Sequence, residues 1–224
     1  MLPKTAERKT ALHLWAVVAL LAIVLTACQT SVGNASTAPA ETEAEAAATP
    51  APAESSVLPM DPLAADQSAP PARLEIPDLG LDVDVVPMGW QIVTVDGERT
   101  TMWAPPEEQA GWHVNSAHAG ALGNVLISGR QADGAAVFAP LALGSVTSGQ
   151  EIWLSDQDGV TFVYQVSEVS EPIPITGATD EEIERAAAYQ EQSDTAKLTL
   201  ITGWPDFTTT HRVFVVAEFL GALQ

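Results

Sequence analysis

KLTLITGWPDFTTTHRVFVVAEF, residues 197–219, holds two apolar runs, 197–202 and 212–219, around a segment rich in Pro, Asp and Thr. In the second run Val213, Val215, Ala217 and Phe219 alternate onto one face, the period of a half-buried strand. The same kind of run recurs upstream: RLEIP at 73–77, LDVDVV at 81–86, QIVTV at 91–95 and NVLIS at 124–128. EIWLS at 151–155 and VTFVYQV at 160–166 follow, with Val160, Phe162, Tyr164 and Val166 on one face. Eight short strands punctuated by Gly, Pro and Asp predict a mostly β domain, a closed barrel or a sandwich. Two helical pieces interrupt them, a short one around 135–143 and one over about 180–189. The second opens at Thr179 with Glu182 three residues on, a capping-box pattern.

Upstream of this domain, taken as residues 72–224, the composition changes twice. Lys4, Arg8 and Lys9 precede an almost wholly apolar run from Ala11 to Leu25. That run is short for a bilayer span, which needs roughly 20 residues, and suits a signal segment. It ends in Leu25-Thr26-Ala27-Cys28, which resembles the bacterial lipobox. Residues 1–28 are therefore expected to be a lipoprotein signal, with Cys28 lipidated and the protein held at the outer face of the bacterial cell membrane. Residues 29–71 carry twelve Ala, seven Pro and six acidic residues without one Lys, Arg, Phe, Trp or Tyr. Such a stretch buries too little apolar surface to offset its ordering entropy, and reads as a disordered linker.

The full chain of 224 residues has 9 basic and 29 acidic side chains, a formal charge of −20. A phosphate backbone is bound by cation neutralisation, so nucleic acid is excluded as a partner. One cysteine permits no intrachain disulfide and no cysteine zinc cluster. Neither a metal nor a cofactor is expected. Asp156 and Asp158 stand before Gly159 in a hairpin-turn pattern, and the acids at 180–184 open a helix, so both groups read as local structure.

The order IPDLGLDVDVVPMGW (76–90), WAPPEEQAGWHVNSAHAGALGNVLISGR (103–130), VFAPLALGSVTSGQEIWL (137–154), FVYQV (162–166) and LTLITGWP…HRVFVVAEF resembles the sortase family, over about 73–219. The resemblance implies a closed eight-stranded β-barrel and the chemistry of a membrane-tethered cysteine transpeptidase. In that family a Cys attacks a sorting-signal peptide, a His serves as acid and base, and an Arg steadies the oxyanion. Carried over residue by residue, the His position is Arg130, the Cys position is Gly203, and the Arg position is retained as Arg212. Glycine has no side-chain nucleophile, and a guanidinium stays protonated and cannot act as a base. The family route is thereby closed, and a catalytically inactive member is expected.

Neighbouring hydroxyls and imidazoles are the candidate substitutes. Strand alternation turns Thr202 away from the face of position 203, into the barrel, and puts Ser128 on the face of position 130. His113, His118 and His211 are the available bases, and Trp204 is a candidate groove wall beside Thr202, Ser128 and His118. Three functions follow. The first is a tethered domain binding a sorting-signal-like peptide or a cell-envelope protein in the groove, where paired guanidiniums suit a carboxylate. The second is a transpeptidase or peptidase with a hydroxyl nucleophile, and the third a passive envelope scaffold. A competing fate for Arg130 is a local ion pair with Asp133.

Overall fold

The computed structural model describes residues 56–95 and 97–224. The expected signal segment 1–28, with Cys28, and the linker as far as residue 55 lie outside the described residues. The strands are β1 (Val57–Pro59), β2 (Pro71–Ile76), β3 (Leu81–Met88), β4 (Trp90–Val95), β5 (Glu98–Trp103) and β6 (Ala110–His113). They continue as β7 (Gly123–Ser128), β8 (Glu151–Asp156), β9 (Thr161–Val169), β10 (Ile173–Pro174), β11 (Ala196–Trp204) and β12 (His211–Leu223). Two helices, α1 (Ala139–Ala142) and α2 (Asp180–Ala188), lie between β7 and β8 and between β10 and β11.

Eight strands run in the order β12-β11-β7-β6-β3-β2-β8-β9, and β9 pairs back onto β12, closing a barrel. Its interior is filled by alternate side chains: Phe162, Tyr164 and Val166 from β9, Leu198 and Leu200 from β11, Val215 and Ala217 from β12. Burial of such side chains is the main stabilising term, at about 1.5–3 kcal/mol each. The Tyr164 hydroxyl, deep in this core, accepts a hydrogen bond from the Gly120 N–H at 2.8 Å. The outer face of β11 and β12 carries a second, smaller cluster, Ile173, Ile201 and Phe214. Helix α2 covers it, with the Tyr189 ring stacked on Phe214 at 4.7 Å. The capping box forms as the sequence predicts, with Thr179 and Glu182 satisfying each other's backbone N–H groups.

Three expectations need correction. The run 91–95 is not a barrel strand: β4 pairs only with β5, as a separate two-stranded hairpin. Its place in the barrel belongs to β6, whose four residues are all buried and so lack the polar alternation that marks a half-exposed strand. The linker does not extend to residue 71. Val57–Pro59 pair with β12, Leu63 bridges to Ala121, and Met60 and Leu63 pack on the core. These side chains bring apolar surface that the Ala/Pro-rich average of 29–71 hides. The helix expected over 135–143 is confined to Ala139–Ala142, with left-handed backbone just before it at Asp133, Gly134 and Ala136.

Candidate functional site

Register places positions 130, 203 and 212 together at one end of the barrel. Gly203 on β11 is the cross-strand partner of Arg212 on β12. Beyond β7, the Gly129 N–H donates to the Ile201 carbonyl at 3.0 Å, which carries Arg130 to the same end. Arg130, Gly203 and Arg212 border one cavity of about 460 Å³, walled on its apolar side by Met102, Trp103 and the exposed Phe207.

The space beside Gly203 is taken. A Cβ built there would lie 2.5–2.7 Å from the side-chain amide of Gln131, too close for any residue other than glycine unless that amide moves. Gln131 is buried, and its Nε2 donates to the Thr208 carbonyl at 3.0 Å and to the Thr209 hydroxyl at 2.7 Å. It thus ties the loop after β7 to the loop joining β11 and β12. Gln131 is not legible as a site residue in the sequence. Only its place directly after Arg130 pointed to it, and its contacts depend on how the loop folds back.

The two arginines differ. Arg130 does not pair with Asp133: its Nε donates to the carbonyls of Pro105 and Pro106, at 3.0 and 3.2 Å. Its terminal nitrogens have no partner among the described residues. The Arg212 side chain makes neither a hydrogen bond nor an ion pair among the described residues, where Arg73 alone is ion-paired, to Glu75 and Asp82. Burial pushes the Arg212 pKa down, although a guanidinium remains charged. It is a partly enclosed cation without a counter-ion.

Ser128 and His113 meet. The His113 Nε2 and the Ser128 hydroxyl share a hydrogen bond of 2.7 Å, and both border a cavity of about 260 Å³ with Arg212. The Trp103 ring packs tilted against the His113 ring, their centroids 4.3 Å apart. Burial first, and the Arg212 charge second, lower the His113 pKa to about 4. The imidazole is therefore neutral near pH 7, yet protonating it beside a cation in a desolvated place is costly, which makes it a weak base. Ser128 is only 3% exposed and His113 2%.

The remaining candidates lie elsewhere. Thr202 points into the barrel, as alternation predicts, and its hydroxyl donates to the Gly129 carbonyl at 3.0 Å. His118 is not in the groove: its Nδ1 lies 2.9 Å from the Ser68 carbonyl and its ring meets Trp112 edge-on. Trp204 packs edge-on against His211 at 5.1 Å and borders neither cavity, so it is not the expected groove wall. The wall comes from the β4–β5 hairpin and Phe207.

This end of the barrel can hold an anion and an apolar group; position 203 offers no nucleophile. Among known proteins, the family model for the sortase domain matches residues 74–220. Similar solved structures include a Clostridium perfringens sortase D5 transpeptidase, at 19% identity and a TM-score of 0.48, covering 68% of this chain and 79% of that one. A lid mutant of Corynebacterium diphtheriae sortase A has the same identity and TM-score, over 67% and 69% of the two chains. Sortase C-1 from Actinomyces oris is 17% identical with a TM-score of 0.48, covering 66% and 73%. No curated protein matches. With two-thirds of its length matched by the family model, the chain belongs to the sortase family.

Proposed function

We propose that this protein is a membrane-tethered, extracytoplasmic sortase-family member that performs no transpeptidation and binds a peptide or a cell-envelope partner in the groove over β11 and β12. The observation that carries this reading is the Gln131 amide filling the space beside Gly203, where the family pattern calls for the attacking thiol. Without a nucleophile at 203 or an imidazole at 130, no acyl intermediate can form by the family's route. The retained Arg212, unpaired and facing the cavity, supports binding without turnover. Tethering follows from the basic start, the apolar run and Cys28, where acyl chains would give a firm hold on the bilayer.

The test is cleavage of fluorogenic Leu-Pro-X-Thr-Gly peptides, with an amine acceptor present, by the full chain and by an Arg130→His/Gln131→Ala/Gly203→Cys variant. No turnover by the native chain together with turnover by the variant is the expected result, and it would mean that the groove still seats sorting peptides. Turnover by the native chain overturns the reading. A second reading, hydrolysis by Ser128 with His113 as base, rests on their 2.7 Å contact. The depressed His113 pKa and the burial of both groups weigh against it. If the domain is instead a passive scaffold, Arg130→Ala and Arg212→Ala leave every interaction unchanged.

A further inference from the structure

A cavity of about 660 Å³ is bordered by Arg73, whose guanidinium is already neutralised by Asp82 at 2.7 Å. The groove cavity differs in kind. Two guanidiniums border it, and neither has a carboxylate within ion-pairing distance, although the domain carries 22 acidic residues over 72–224. Asp133 lies on its rim, exposed, and pairs with neither arginine. A partly enclosed charge without a counter-ion attracts an anion that can enter.

The cavity also selects the size and company of that anion. A chain of net charge −20 repels polyanions, so a single negative charge is favoured. One part of the wall beside the arginines is apolar, formed by Met102, Trp103, Ile201 and Phe207, the last 80% exposed, and the rest carries Asp133, Thr208 and Thr209. On its other side Arg212 borders a second recess of about 290 Å³, lined by Ile175 and Ile183, which are 41% and 56% exposed. Gln131 also borders the cavity, fixed by its bonds to the 208–209 backbone and hydroxyl. Charge, apolar wall and a fixed amide occur together.

We propose that the cavity between Arg130 and Arg212 takes the C-terminal carboxylate of a peptide whose last side chain is large and apolar. The carboxylate lies across the guanidiniums, which suit bidentate hydrogen bonding. The last side chain packs against Met102 and Phe207. Upstream residues find apolar surface at Ile175 and Ile183. This deepens the peptide-binding reading above and rests on it: the groove recognises the end of a chain, where a cutting enzyme must admit chain on both sides of the bond.

The experiment uses the full chain in detergent micelles, labelled with ¹⁵N, and follows the indole N–H signals of Trp90 and Trp103. The probe is acetyl-Ala-Ala-Phe, titrated as the free acid and as the C-terminal amide. The expected result is that the acid binds at least about tenfold more tightly than the amide, since hydrogen bonds to charged groups are among the strong ones. In Arg212→Gln, and separately in Arg130→Gln, that preference shrinks, while signals remote from the groove stay in place. Equal binding of acid and amide by the native chain overturns the carboxylate inference and leaves peptide binding standing. No shift with either probe removes peptide binding as well, and the inference with it.

Discussion

At position 203 the chain carries a hydrogen where any other residue carries a carbon, and the Gln131 amide uses the space. Restoring a side chain there requires that amide to swing away and give up its bonds to Thr208 and Thr209. Gly203→Cys should therefore destabilise the domain by about 1–3 kcal/mol, the usual cost of stranding a buried polar group. In a Gln131→Ala background the same change should cost little, and a double-mutant cycle by urea unfolding measures the coupling. His113 gives a second expectation. Its pKa is lowered to about 4 in the folded chain, against 6.5 when unfolded, so between those values the unfolded state binds more protons. The penalty is absent above pH 6.5 and grows as the pH falls toward 4, by about 2–3 kcal/mol between pH 7.5 and 4.5. Unfolding at both pH values, native beside His113→Gln, should show that part of the acid sensitivity lost in the variant. The exchanged residues Arg130 and Gly203 were readable from the sequence because their neighbours keep a pattern. Gln131 was not, because its role comes from a loop that folds back on a strand 72 positions later.

Helix α2 and the β4–β5 hairpin frame the groove, and the sequence revealed them unequally. The capping box announces α2: Thr179 accepts from the Glu182 N–H, and the Glu182 carboxylate accepts from the Thr179 N–H at 2.8 Å. Thr179→Ala should cost about 1 kcal/mol, read as a lower urea midpoint with an unchanged slope. The hairpin was read only by half. QIVTV alternates as a strand should, but alternation alone does not say which sheet a strand joins. The Asp96-Gly97 pair between β4 and β5 is a hairpin-turn signal that fits the pairing of Trp90 with Trp103. Strand β6 was hidden for the opposite reason: it is covered on both sides, Trp112 lying in the core and His113 under Trp103, so no polar face remains to betray it.

Across the whole molecule, eight strands close on themselves, and the motif order that resembles sortases lies on them in sequence. The chain's strong acidity and its two groove arginines are opposed in sign: the general field repels anions, while the groove holds two guanidiniums without a carboxylate partner among the described residues. On the proposed function, this barrel keeps the groove and lacks the chemistry. That reading is tested most directly by the intact mass of the full chain after prolonged incubation with a Leu-Pro-X-Thr-Gly peptide and no amine acceptor. The account predicts an unchanged protein mass and an uncut peptide. A protein heavier by the acyl fragment, with the adduct on Ser128 or another hydroxyl, or a cleaved peptide that depends on Ser128, would contradict it.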